Sequence, residues 1–359
     1  MHSKKATRFG FGEGLVVLGE RYDNVVVLGG DITGSVMTSY FKDKFPDRFF
    51  SMGITEATAT LVATGLALSG LIPFFATYGA FASCRNTDMI RISCAYNDAN
   101  VKIGGGHAGI SVGEDGATHQ ALEDLFAMCG LPHMSVVVPC DAVETRKATD
   151  YLLLEHVGPK YIRFAREATP VVTHEGTPFV FGVANVVRLR REAPEMIDAF
   201  ETVLATEYKN DYEDLSIIAC GPMVPEAMRA AWILKREFGY ESRVINMHTM
   251  KPIDEATIIR AAKETGIVVT AEEHQIGALA WRVSGAITES AELFGVPVIT
   301  GAIGVKDRFG DSGAPWELIK EFEVSAEHIA QKALDLLAVR EGRSNKELQS
   351  GAGKLVLVL

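Results

Sequence analysis

Apolar residues fall in short runs bounded by glycine and polar clusters, and between the runs they recur at the spacing of an amphipathic helix. Buried strands alternating with helices predict an α/β chain. Asn24-Val-Val-Val-Leu-Gly-Gly reads as a buried strand that ends in a glycine turn. Phe49-Phe-Ser-Met-Gly53 and Leu71-Ile-Pro-Phe-Phe-Ala read as two more. Val101-Lys-Ile, Met134-Ser-Val-Val-Val-Pro and Lys160-Tyr-Ile-Arg-Phe continue the series. Helices are expected from Glu56 to about Ser69 with Thr55 as cap, from Ala121 to Met128, and from Asp141 to Glu155. Residues 1–170 are thus expected to form a doubly wound domain.

A second α/β unit is expected over 214–342. Its strands lie near 215–220, 242–247, 266–271 and 296–301, with helices between them and at 314–340. The fold class is therefore α/β with two doubly wound domains. Between the two units, Val183 to Arg191 is apolar and then basic, and Glu192 to Asp214 is acid-rich. Residues 171–213 read as a linker or insertion with a helix near 195–207; subunit contact and plain insertion are both open. Residues 343–359 read as a flexible tail.

A chain of 359 residues has room for two domains, and 47% hydrophobic and 23% charged residues are ordinary for a globular protein. The net charge of −11 argues against general nucleic-acid or membrane-surface affinity, yet leaves room for a local basic pocket. Five cysteines without CxxC spacing point to reduced, buried thiols in a cytoplasmic protein. No apolar run reaches the roughly 18 residues of a membrane span, and Met-His-Ser-Lys-Lys has no apolar signal core.

The chemistry concentrates in His107-Ala-Gly-Ile-Ser-Val-Gly-Glu-Asp-Gly-Ala-Thr-His119-Gln120, which follows Gly104-Gly-Gly106. Two His and two carboxylates on a loop leading into a helix fit a reaction site or a solvated turn. A zinc site competes, without typical ligand spacing. Asp31-Ile-Thr-Gly-Ser35 follows the first strand, where open parallel sheets bind ligands. Glu56 at a helix start is ordinarily a surface residue that complements the dipole. Tyr78 and Phe81, three apart, are expected to share a helix face. Arg163 and Arg166 fit either structural ion pairs or an anion site.

Gly113-Glu-Asp-Gly-x-Thr-His-Gln120 closely resembles the substrate loop of transketolases. Gly29-Gly-Asp-x-Thr-x-Ser35 is similar to the first turn of their pyrimidine-binding domain, and Gly53-Ile-x-Glu56 to the motif of the activating Glu. The resemblance implies thiamine diphosphate as cofactor. Glu56 would meet the aminopyrimidine ring nitrogen and favour the imino tautomer, Tyr78 and Phe81 would sandwich the ring, and Asp31 would line the site. Asp115 would bind a substrate hydroxyl, and His119 the sugar carbonyl or hydroxyl oxygen. His107, Ser35, Arg8 and Arg166, the last four residues before Pro170, would address the phosphate-bearing sugar. Cys84 stands where many transketolases have a third aromatic, and Ala117 where proline is common. Ala271-Glu-Glu-His274 and Arg308-Phe-Gly-Asp-Ser-Gly look like turns of the transketolase carboxy-terminal domain. That domain lies away from the chemistry in the family, so Glu272, Glu273 and His274 are expected to be structural or interfacial.

The family's diphosphate site is marked by Gly-Asp-Gly with an Asn about thirty residues on, and no such pair occurs here. The resemblance therefore implies the C-terminal subunit of a split transketolase. An N-terminal, diphosphate-binding subunit would hold Mg2+ or Ca2+, and the two would form a heterotetramer. The reaction implied is transfer of a two-carbon ketol unit from a ketose phosphate to an aldose phosphate. A 1-deoxyxylulose-phosphate synthase, a 2-oxoacid dehydrogenase beta chain and a non-catalytic scaffold are the alternatives.

Overall fold

Val25, Val27 and Phe74 face one way and Leu28 and Phe75 the other, and all five are buried. Strands buried on both faces belong to a parallel sheet covered by helices. The computed structural model describes residues 3–154 and 157–342. The tail expected at 343–359 lies outside them, as does Glu155, the expected end of the helix from Asp141.

In chain order the strands of the first unit are β1 (Lys4–Ala6), β2 (Val25–Gly29), β3 (Phe49–Ser51), β4 (Ile72–Tyr78), β5 (Lys102–Gly106), β6 (Ser135–Val137), β7 (Lys160–Arg163) and β8 (Ala168–Pro170). Then follow β9 (Asn185–Leu189), β10 (Phe200–Leu204), β11 (Leu215–Ala219), β12 (Ser242–Asn246), β13 (Thr249–Lys251), β14 (Ile267–Gln275) and β15 (Ile299–Val305). The first sheet has the order β13-β6-β7-β5-β4-β2-β3, parallel except at β13. The second has the order β10-β9-β12-β11-β14-β15, with β9 and β10 antiparallel. β1 and β8 form a separate two-stranded ribbon.

The α/β class agrees with the expectation, and both sheets are mainly parallel, with antiparallel pairing at β13 in the first and at β9 in the second. The segment 171–213 supplies β9 and β10 to the second sheet. The helix expected near 195–207 is absent. A 3-10 turn at Ile197–Ala199, β10 and a 3-10 turn at Ala205–Glu207 stand there instead. Phe-Glu-Thr-Val-Leu is too short for a stable helix, and pairing with β9 satisfies its backbone. The helical stretch expected at 314–340 consists of Pro315–Glu321 and Ala326–Glu341, with Glu323 at φ 56 between them. The helix expected from Ala121 begins at Asp124.

The two units share one core. Leu28, Phe75, Ile103 and Val136 of the first sheet pack in the same cluster as Ile218, Ile245 and Val268 of the second. Each such side chain contributes about 1.5–3 kcal/mol on burial, so the units are held as one body. β13 extends the join by pairing with β6. By contrast, helix Glu56–Leu68 buries Ala59, Thr60, Ala63 and Thr64 and turns Leu61, Val62 and Leu68 outward, the last 67% exposed. Ile54, Ile92 and Tyr96 are exposed too. A helix that is apolar all round is normally covered on all sides.

Helix Thr7–Arg21 lies close against helix Ala142–Leu154. A Cβ on Gly10 would sit 2.0 Å from the Ala142 carbonyl oxygen. Gly10→Ala gains about 1 kcal/mol of helix propensity, but moving a backbone carbonyl costs about 1–3 kcal/mol. Urea unfolding of the isolated chain should show a net loss of up to about 2 kcal/mol. Gly65→Ala meets nothing within 4 Å and should stabilise the same chain by about 0.5–1 kcal/mol.

Candidate active site

Five neighbouring parallel strands deliver the candidate residues at one edge. Asp31 follows β2, Glu56 follows β3, Tyr78 ends β4, His107 follows β5 and Arg166 follows β7. This is where open α/β sheets carry their ligands. Gly104, Gly105 and Gly106 complete β5. They pack under the side chains of Tyr161 and Phe164, so a Cβ at Gly105 would fall 1.9 Å from the Tyr161 hydroxyl oxygen.

Glu56 is the first residue of helix Glu56–Leu68 and is 8% exposed. Thr55 precedes it as expected but does not cap the helix with its side chain; its hydroxyl donates to Met52 O at 2.7 Å. Arg85 Nη1 donates to Glu56 Oε2 at 3.1 Å, and the guanidinium stacks 4.1 Å from the Phe81 ring centre. Tyr78 and Phe81 do not share a helix face, because Tyr78 is the last residue of β4. Their rings still meet, 5.8 Å apart and edge-on, because the chain turns directly into Gly79–Ala82. His107 and His119 complete the group, at 4.4 and 5.2 Å from Tyr78, and His119 lies 5.2 Å from Phe81. The loop therefore places its two imidazoles against the aromatic pair.

His107 is 1% exposed and has φ 54, and among the described residues its Nδ1 has no hydrogen-bond partner. A non-glycine residue in that backbone region costs about 1–3 kcal/mol and persists where its surroundings dictate it. Arg8 Nη1 donates to Ser35 O at 3.0 Å, which ties two of the expected anion-binding residues together. Burial and then Arg166 pull the Arg8 guanidinium below its usual range. Arg166 donates to Val112 O at 2.9 Å and to Glu114 Oε2 at 2.8 Å. The Glu114 carboxyl is held below its usual range by its backbone hydrogen bond and then by Arg166. Two cations and a neutral imidazole thus surround one end of the site, where a terminal anion would be met by charge-assisted bonds. Asp31 and Asp115 are exposed and lie outside the ring group. His119 Nδ1 is 2.8 Å from the Thr118 hydroxyl.

Arg85 and Glu114 are partners that spacing did not reveal, since a lone charge on a loop carries no sequence signature. Arg163 is structural: it is buried and bonds Asp124 at 3.0 Å and Glu273 at 3.2 Å. Glu272 is structural too. Its carboxylate accepts the backbone N–H of Gly277, Leu279 and Ala280 and lies 2.7 Å from His274 Nε2. Among the described residues, no group of three or more His, Cys, Asp or Glu is placed to hold a metal. No helix among them is long and apolar enough to cross a membrane.

Burial, Arg8 and Arg166 push the His107 imidazole down from its ordinary 6.5 to about 3. The unfolded chain therefore takes up this proton first as the pH falls. The stability involved is whole above about pH 6.5 and is lost as pH drops from there toward 3. In NMR titration of the isolated chain, His107 should stay neutral from about pH 5 to 8; a titration in that range would contradict the geometry.

Residues 3–171 match the transketolase pyrimidine-binding domain and residues 205–329 the transketolase C-terminal domain. A chain of Methanocaldococcus jannaschii assigned as a transketolase C-terminal section is 39% identical over 92% of this chain and 96% of its own length. An apulose-4-phosphate transketolase subunit of Phocaeicola vulgatus is 33% identical over 92% of this chain and 97% of its own. Human transketolase is 32% identical over 93% of this chain but only 49% of its own length. A solved split-gene transketolase, an inactive beta4 tetramer, superposes with TM-score 0.77 at 35% identity, over 94% of this chain and 99% of that one. End-to-end likeness of this degree, carried by both domains, means that the chain belongs to the transketolase family and carries the pyrimidine-binding and C-terminal portion of its split members.

Proposed function

We propose that this chain is the C-terminal subunit of a split, thiamine-diphosphate-dependent transketolase that moves a two-carbon ketol unit between sugars bearing a terminal anion. The observation that carries this is the buried Glu56 carboxylate at a helix start, linked through Arg85 to the Tyr78, Phe81, His107 and His119 rings. A buried carboxylate beside aromatic walls fits an aminopyrimidine: the carboxyl accepts or shares a proton with the ring nitrogen, and the walls stack on the ring. When bound, the cofactor supplies a nucleophilic carbon that the protein lacks. Glu56 gives up Arg85 and bonds the ring; Tyr78 and Phe81 exclude water from it, with Asp31 at the margin. His119 and Asp115 hold sugar oxygens, while His107, Ser35, Arg8 and Arg166 receive the terminal anion. Among relatives, one is named a 6-deoxy-6-sulfo-D-fructose transketolase subunit and another an apulose-4-phosphate transketolase subunit. Either a phosphate or a sulfonate therefore suits the anion end.

The other half of the site belongs on an N-terminal, diphosphate-binding subunit that carries Mg2+ or Ca2+, in a cytoplasmic heterotetramer. What supports this is the outward apolar face of helix Glu56–Leu68, which adjoins Glu56 and continues at Ile54, Ile92 and Tyr96.

The test is to mix the chain with such a subunit, thiamine diphosphate and Mg2+, and to assay ketol transfer from ketose phosphates and sulfonates. Glu56→Gln should lower turnover at least about 100-fold, as expected for a positioned acid–base group; full activity would remove the assigned role. Leu61→Glu should leave the chain folded by circular dichroism but abolish co-elution with the partner, because an ion would be desolvated in the interface.

A further inference from the structure

We infer that Glu273, in the C-terminal unit, is a positioning residue for sugar binding: it clamps the back of the 107–120 loop so that His107, Asp115 and His119 stand in fixed places on the front. This rests on the function proposed above. Glu273 Oε2 accepts the Ser111 hydroxyl at 2.5 Å and faces the Ser111 amide at 3.4 Å. A Cβ on Gly109, at φ 91, would fall 2.4 Å from the Glu273 carboxyl carbon, so the loop backbone lies directly on the carboxylate. Glu273 Oε1 accepts from Arg163 Nη1 at 3.2 Å, and the same guanidinium donates to Ala121 O at 3.3 Å. Ala121 O also accepts the Gly109 amide at 3.0 Å, which draws the start of the loop to its end. The start of the loop therefore lies on one carboxylate from the other unit, and its end is tied to the same carboxylate through Arg163.

The adjacent carboxylate is engaged quite differently. Among the described residues, Glu272 accepts from amides of its own unit, those of Gly277, Leu279 and Ala280, and lies beside His274. Glu273 reaches only into the first unit among its bonded partners named above, to the loop and to the strand beside it. The rest of the contact is built the same way. Gln120 Nε2 donates to Asp311 O at 2.9 Å, Gly113 packs on Pro315 and Gly116 on Ser312. His107 keeps its left-handed backbone at the head of this clamped segment. Reacting groups displaced by about 1 Å can lose about a hundredfold in rate, so loosening the clamp should register in sugar binding before anything else. Of the residues proposed to face the cofactor, Glu56 follows β3, Tyr78 ends β4 and Phe81 lies in the turn after it, and the hydrogen bonds of Glu273 among the described residues go instead to Ser111 and Arg163.

Two variants decide it, Glu273→Gln and the milder Ser111→Ala, with Ser111→Thr restoring the hydroxyl. In the isolated chain, amides 109–116 should exchange hydrogen at least about tenfold faster in Glu273→Gln, while those of 56–68 keep their rates. In the assembled enzyme with its partner subunit, Mg2+ and thiamine diphosphate, the KM for the ketose donor should rise about 10- to 100-fold. The concentration of thiamine diphosphate giving half-activation should stay within about twofold. Ser111→Thr should recover most of what Ser111→Ala loses. An unchanged donor KM, or an equal loss of donor and cofactor affinity, would overturn the inference. If the wild-type assembly transfers no ketol unit, the functional proposal fails instead, and the exchange rates still decide whether Glu273 holds the loop.

Discussion

The arrangement of this molecule depends on a charged group buried where its two units meet. Arg163 is 2% exposed, and Asp124 and Glu273 beside it are 0% and 1% exposed. Desolvation lowers the proton affinity of the guanidinium, but the two carboxylates outweigh it and keep Arg163 charged. Burying each ion costs several kcal/mol, and loss of one partner from such a group typically costs about 3–5 kcal/mol. The group persists because its members are also bonded to Tyr161, Ser111 and the Ala121 carbonyl. It spans the first sheet, the helix at Asp124, the loop and β14. One electrostatic knot thus relates the 107–120 loop to a domain that carries none of the proposed chemistry.

Around that knot the structure divides its surfaces by stability. The strand ends are rigid because the shared core lies directly beneath them. The site itself opens on a face where helix Glu56–Leu68 leaves leucine and valine uncovered. The Arg85–Glu56 pair has a simple physical meaning there: a buried carboxylate needs a cation or a donor beside it. Arg85 is half exposed, so it can be displaced at small cost when a better partner fills the pocket.

Much of this is legible in the chain. Fully apolar runs ending in glycine mark the central strands, and their carboxyl ends mark the site. Glu56, Tyr78, Phe81, His107 and His119 all lie on motifs, and the fold gathers the four rings beside one another. The expectations that fail cluster where a short segment has no strong period. Phe200–Leu204 became a strand because β9 offered it a free edge, and Tyr78 ended a strand because Phe75 and Ala76 needed burial on opposite faces.

The sequence by itself determined the central strands of both sheets, the glycine turns that end them, and the identity of the groups able to do chemistry, since these follow from local period, glycine and side-chain type. Only the tertiary structure decided which charges meet. Arg85 with Glu56, Arg166 with Glu114, and Glu273 with Ser111 and Arg163 are separated along the chain by 29, 52, 162 and 110 residues in turn. Such pairings have no periodic signature, because they are fixed by how two sheets pack through a common core and by the high cost of leaving any of these groups buried without a partner.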